Sequence, residues 1–215
     1  MLYEEIRETL FQTVLNCCQR DLIQLNSGNV SVRASAEHLI VTPRGIPYDH
    51  MTPEDLVTTD LNGSVIEGRH KPSSEMPTHL TIYHHMTNVA AVVHTHSPCA
   101  LAFAVVGRSI PIICTEGLAA GGPVPVAQYA GPGTAAQGRV AMEAMQGPPS
   151  VTGVLLKNHG VLTIGASLAQ AYATACRIEM AAKVYFMALQ IGTPNVLTDE
   201  QIHEIRMTYS SKKSS

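Results

Sequence analysis

Apolar residues recur every four positions through the start of the chain, at Ile6, Leu10, Val14, Cys18 and Leu22. That spacing predicts an amphipathic helix over residues 3–24. Asn26, Ser27, Gly28 and Asn29 break it, and the runs Val30–Arg33 and His38–Thr42 read as short strands. Pro43-Arg44-Gly45-Ile46-Pro47 can only be a loop. Thr52-Pro53-Glu54-Asp55 has the form of one capped helical turn, with proline at the first helical position. Two strands are expected around a hairpin turn at Leu61-Asn62-Gly63. Helical spacing returns from Ser73 or Ser74 to about His85. It is followed by a buried strand at Val89–Val93 and a helix over Ser97–Val105. A Gly/Pro-rich passage separates an expected strand at Ile110–Cys114 from an expected helix at Thr134–Met145. Val151–Leu156 reads as another buried strand. Ser167 with Gln170, and Thr198 with Gln201, have the spacing of capping boxes. The first should open the longest helix, ending near Gln190. The second should open a last helix, with 208–215 a flexible tail. Strands and helices mix without strict βαβ alternation. The expected fold is one α/β domain over 1–215, with a central, mostly antiparallel sheet flanked by helices.

Composition narrows the function. Of 215 residues, 45% are hydrophobic and 14% charged, and the net charge is −3. A nucleic-acid binder normally carries a basic patch, so that class is disfavoured. So sparse a charged surface is common where subunits cover one another, which favours an oligomer. The five cysteines, Cys17, Cys18, Cys99, Cys114 and Cys176, are odd in number and lack C-x-x-C spacing. They read as reduced thiols. The acidic start MLYEEIRETLF is unlike a signal peptide, and no apolar run reaches about 18 residues. A cytoplasmic protein without a membrane span is expected.

The sharpest chemical signal is Val-Val-His94-Thr95-His96-Ser97. Side chains two apart on a strand share a face, so both imidazoles can reach one ion. His159 ends another apolar run, in Leu155-Leu156-Lys157-Asn158-His159-Gly160. Any one histidine is more simply explained as a packed or hydrogen-bonded side chain. Three converging imidazoles with an open fourth position instead describe a catalytic zinc site. Glu75, in Lys71-Pro72-Ser73-Ser74-Glu75-Met76, lies at a helix start, where an acid often serves only the helix dipole. Its alternative part is fourth ligand and general base. The remaining histidines, His38, His50, His70, His79, His84, His85 and His203, lack partners at useful spacing and read as surface or helix residues. Three polar turns, Ser27-Gly28-Asn29, Arg44-Gly45 and Ser73-Ser74, suit an anion through free N–H groups and hydroxyls. Neither a Walker motif nor G-x-G-x-x-G occurs.

Taken in order, Ser27-Gly28-Asn29-Val30-Ser31-Val32-Arg33, Thr42-Pro43-Arg44-Gly45-Ile46-Pro47-Tyr48, Pro72-Ser73-Ser74-Glu75, His94-Thr95-His96 and Asn158-His159-Gly160 closely resemble the class II aldolase/adducin family. The resemblance spans nearly the whole chain. It implies a homotetramer with active sites between subunits. Each subunit would hold one Zn2+ on His94, His96 and His159, with Glu75 as ligand and base. It implies phosphate binding by Gly28, Asn29, Gly45, Ser73 and Ser74, and a proton for the aldehyde oxygen from Tyr209. The reaction implied is retro-aldol cleavage of a ketose 1-phosphate (L-fuculose 1-phosphate, or a 5-deoxypentulose or methylthiopentulose 1-phosphate) into dihydroxyacetone phosphate and a small aldehyde. Arg44 stands where a small hydroxyl residue is expected, and suits either phosphate or a substrate carboxylate. Thr115, followed by Glu116, stands where a second phenol is expected. Related chemistries within the family are a sugar-phosphate 4-epimerase and a decarboxylase or dehydratase of a sugar-acid phosphate. Its adducin-like members are non-catalytic binding modules.

Overall fold

A computed structural model describes residues 1–147 and 150–211. Its elements are α1 (Glu4–Gln19), β1 (Asn29–Arg33), β2 (His38–Val41), β3 (Val57–Asp60), β4 (Val65–Glu67), α2 (Met76–His85), β5 (Ala91–Thr95) and α3 (Pro98–Val106). They continue as β6 (Val126–Ala127), α4 (Ala135–Gln146), β7 (Gly153–Leu156), β8 (Gly160–Gly165), α5 (Leu168–Ile191) and α6 (Asp199–Ser211). The eight strands form one sheet in the order β4-β3-β2-β1-β5-β8-β7-β6. Every pairing is antiparallel except β6 with β7, in agreement with the sequence expectation.

Strand alternation sorts the core into layers. Val92, Val154, Leu156, Leu162 and Ile164 face α2 and α4, meeting Met76, Ile82, Ala141 and Met145. Val30, Val32, Ala91 and Val93 face the other way, against Leu10 and Val14 of α1 and Ala171 and Ala175 of α5. Leu155 and Val161 meet α3 and the second half of α5. Both faces are therefore covered, and the central strands appear in the sequence as unbroken apolar runs rather than alternating ones.

The caps follow the sequence closely. Thr52 and Asp55 close a reciprocal capping box on a 3-10 turn at Pro53–Asp55. Thr198 and Gln201 exchange their two bonds at the start of α6. At α5 the Ser167 hydroxyl accepts from Gln170 N, but the Gln170 side-chain Oε1 accepts from Ala166 N, one residue earlier than a standard box. Some boundaries differ. Helix α1 stops at Gln19, where Asp21 takes a left-handed backbone. The expected strand at 110–114 reduces to one bridge between Ile110 and Val124, because Pro111 has no N–H to extend a ladder. Strand β8 has no counterpart among the elements expected from the sequence. Helix α6 continues to Ser211, and residues 212–215 of the expected tail lie outside the described residues. Among the described residues no helix is long and apolar enough to cross a membrane.

Candidate metal and phosphate site

The antiparallel pairing of β5 with β8 assembles the histidines. Their register sets His94 opposite Leu162 and Thr95 opposite Val161. One step further, His96 lies beside Gly160 at the shared strand ends. A β-carbon at Gly160 would stand 2.4 Å from the Thr95 carbonyl oxygen, 3.0 Å from His94 Cε1 and 3.1 Å from His96 Cδ2. Only glycine admits this approach. His159 precedes it, at the end of a tight turn closed by His159 N donating to Leu156 O at 3.0 Å. Asn158 in that turn has φ 58°, which asparagine tolerates better than most residues.

Glu75 arrives from the opposite layer. It is the N-cap residue of α2, yet its side chain makes no capping bond. The carboxylate turns to the imidazoles instead: Oε2 lies 3.5 Å from His94 Nε2 and Oε1 lies 3.3 Å from His159 Nε2. His94 Nε2 and His96 Nε2 are 3.0 Å apart. One ligand atom from each of Glu75, His94, His96 and His159 falls within 4.8 Å of all the others. Metal–ligand bonds of about 2.0–2.1 Å in a tetrahedron separate the ligand atoms by about 3.3 Å; three of the separations here, 3.0, 3.3 and 3.5 Å, are close to that, so the cluster could hold a metal ion.

Proton positions agree for the most buried ligand. His94 Nδ1 lies 2.8 Å from Val161 O, a group that only accepts, so Nδ1 carries the proton and Nε2 presents its lone pair to the cluster. Burial opposes the charged form of His94 and, despite Glu75, brings its pKa down to about 4. His96 is lowered too, first by burial and then by His159. Burial works against ionisation of Glu75, but His94, His159 and His79 outweigh it, and its pKa falls to about 2. At neutral pH these shifts keep His94 and His96 neutral and Glu75 ionised, the states in which such groups bind metal.

The polar turns lie around this cluster. Gly28 (φ 75°) runs so close to β5 that a β-carbon would stand 2.6 Å from the His94 carbonyl oxygen. Tyr48 donates to Gly28 O at 2.8 Å and fixes that turn. Asn29 pairs with His94 across β1 and β5, and its buried Oδ1 has no partner among the described residues. The loop carrying Arg44 and Gly45 is tied to the Ser73 segment: Arg44 N donates to Lys71 O at 2.9 Å, and Ser73 N to Thr42 O at 3.0 Å. Arg44, Lys71, Ser73 and Ser74 line one open groove. Gly45 is exposed with φ 77°, and nothing stands within 4 Å of where its β-carbon would be.

Lys71 and Gln137 belong to this surround and were not singled out by sequence. Lys71 directly precedes the Pro72-Ser73-Ser74 motif, a signal that was available. Gln137 Nε2 lies 2.7 Å from His159 Nδ1, a contact only tertiary structure creates. His79, expected at a surface or on a helix, is on α2 and fully buried. It bonds Ser31 Oγ at 2.6 Å. Thr115 donates to Glu116 at an exposed 3-10 turn. The backbone of Tyr209 belongs to α6, and its side chain lies outside the described residues.

Comparison with known proteins gives a consistent picture. The family description "Class II Aldolase and Adducin N-terminal domain" matches residues 8–186. The chain is 32% identical over 206 residues to 5-deoxy-D-ribulose 1-phosphate aldolase of Bacillus thuringiensis serovar kurstaki, covering 95% of each. It is 36% identical over 180 residues to 5-methylthioribulose-1-phosphate/5-deoxyribulose-1-phosphate aldolase of Rhodospirillum rubrum, covering 83% of this chain and 79% of that one. A solved L-fuculose 1-phosphate aldolase superposes with a TM-score of 0.89 at 31% identity, over 98% of both chains.

Proposed function

The chain belongs to the class II aldolase and adducin family and is an aldehyde-lyase of that class, and on that premise we propose that it is zinc-dependent and reversibly cleaves a ketose 1-phosphate into dihydroxyacetone phosphate and a small aldehyde. The sugar we propose is a 5-deoxypentulose, methylthiopentulose or L-fuculose 1-phosphate, the kinds of substrate named for its relatives. The reading is carried by the convergence of Glu75, His94, His96 and His159 at ligand spacing.

His94, His96 and His159 would hold the ion, with Glu75 as fourth ligand. Zn2+ bound there supplies a Lewis acid for the substrate's carbonyl and adjacent hydroxyl oxygens. Glu75, ionised, is the base that moves a proton at carbon 3 of the dihydroxyacetone phosphate half. Gly28, Asn29, Gly45, Ser73 and Ser74 hold the phosphate through N–H and hydroxyl donors. The open space over Gly45 supports that role. Arg44 and Lys71 add two cations beside Ser73 and Ser74, suited to a phosphate dianion. Tyr209 is proposed to protonate the aldehyde oxygen, from a site shared between subunits of a homotetramer.

The Arg44 and Lys71 pair also favours a second reading, cleavage or decarboxylation of a sugar-acid phosphate whose carboxylate lies at this end. Identifying the products formed from dihydroxyacetone phosphate and a panel of small aldehydes separates the two. For the metal reading, His96→Ala and His159→Ala should each lose zinc and activity while circular dichroism stays unchanged. Stoichiometric zinc retained in both variants would show that the ion sits elsewhere.

A further inference from the structure

Two of the clustered histidines have their outer nitrogen satisfied in opposite senses. His94 Nδ1 faces a carbonyl, Val161 O, so the Nε2 lone pair points into the cluster, where His96 Nε2 stands 3.0 Å away. His159 Nδ1 faces Gln137 Nε2 at 2.7 Å. The orientation of that amide is fixed by its other end. Gln137 is buried at the start of α4, and its Oε1 accepts from Gly133 N at 3.0 Å. A backbone N–H can only donate, so the oxygen must lie on that side and the NH2 group must point at His159. Thr78 Oγ1 lies 3.1 Å from the same oxygen. An amide NH2 cannot accept, so Nδ1 of His159 is the acceptor, and the proton of the neutral ring sits on Nε2. There it faces Glu75 Oε1 at 3.3 Å. This is a satisfied arrangement without metal, but it occupies the nitrogen through which His159 would bind one.

We infer that Gln137 is the positioning residue that selects the tautomer of His159, and that its amide turns over when the ligand set closes on a metal. The inference rests on the reading of His159 as a metal ligand. Turned over, the amide oxygen accepts from Nδ1–H, and Nε2 is released. The NH2 group then faces Thr78 Oγ1, which can accept because its own proton has another taker, Thr134 O at 3.0 Å. Gly133 N–H then meets a donor where it had an acceptor, a cost that metal binding through Nε2 must offset. His94 is thus a preset ligand and His159 a conditional one, gated by a side chain that touches neither metal nor substrate.

Two measurements test this. In metal-free protein labelled with 15N-histidine, long-range 1H–15N correlations report which ring nitrogen is protonated. The expected pattern is His94 on Nδ1 and His159 on Nε2, with the His159 proton moving to Nδ1 on addition of one equivalent of Zn2+. Chelator competition on two variants gives the second readout. Gln137→Glu offers only acceptors to both Gly133 N–H and Nδ1–H, and should bind Zn2+ about tenfold tighter. Gln137→Leu offers none, and should bind it about tenfold or more weaker. A merely structural role would weaken both. His159 protonated on Nδ1 before metal is added, or equal zinc affinity in both variants and the parent, overturns the inference. Unmodified protein that takes up no Zn2+ overturns instead the ligand reading and with it the turnover of the amide. The metal-free tautomer, measured separately, still decides the hydrogen-bond assignment.

Discussion

The double role proposed for Glu75, ion ligand and base, draws on its arrival at the cluster from a different layer than the histidines. At a helix N-cap an acid usually satisfies its own helix, yet this one makes no cap bond and turns to His94 and His159. Glu75→Gln keeps the shape and removes the base. Solvent deuterium exchange at carbon 3 of dihydroxyacetone phosphate should slow by roughly 10²–10⁴-fold, with the fold intact. Exchange at the parental rate would remove Glu75 from the base role. The buried histidines give a pH signature as well. Burial lowers His94 to about 4 and His79 to about 3, from an ordinary value of 6.5. Below that ordinary value the unfolded chain binds protons the folded chain refuses, so stability is lost as pH falls. Metal-free protein should lose on the order of a few kcal/mol between pH 6.5 and 4, readable as a falling urea midpoint. A midpoint flat across that window would mean these rings are protonated in the folded state at little cost.

At the scale of elements, the site depends on two close approaches. Strands β5 and β8 meet at Gly160, and helices α2 and α4 meet at Gly138. A β-carbon at Gly138 would stand 2.7 Å from Thr81 Cβ and 2.8 Å from Thr78 O. Gly138→Ala must therefore push apart the helices that carry Glu75 and Gln137. It should lower stability by about 1–3 kcal/mol in chemical denaturation and weaken zinc binding. Unchanged values for both would show that the contact is slack. The same elements mark how far sequence reading reaches. His94 and His96 were legible because strand alternation puts them on one face, and Thr198 with Gln201 because capping chemistry is local. Strand β8 was not legible. It starts at the glycine that follows His159, ends at Gly165, and is buried on both faces, so no alternation announces it. The run at 110–114 misled for the opposite reason: apolar residues suggested a strand that Pro111 cannot extend. Gln137 could not be found from sequence, since its partner is 22 positions away on another layer.

At the scale of the molecule, a sheet covered on both faces still leaves apolar residues outside. Met180, Phe186, Met187 and Ile191, all in the second half of α5, are exposed. A homotetramer that covers them is the proposed assembly. Light scattering should then give four times the chain mass, and charged residues at Phe186 and Ile191 should dissociate it. A monomer mass for the unmodified protein at micromolar concentration would contradict that assembly. The central claim is chemical, and one measurement reaches it most directly. The protein is stripped with a chelator, its aldol condensation of dihydroxyacetone phosphate with a small aldehyde is assayed, and the assay is repeated after adding one equivalent of Zn2+ per chain. The account predicts that condensation disappears with the metal and returns with it. Full activity in the stripped protein would contradict it.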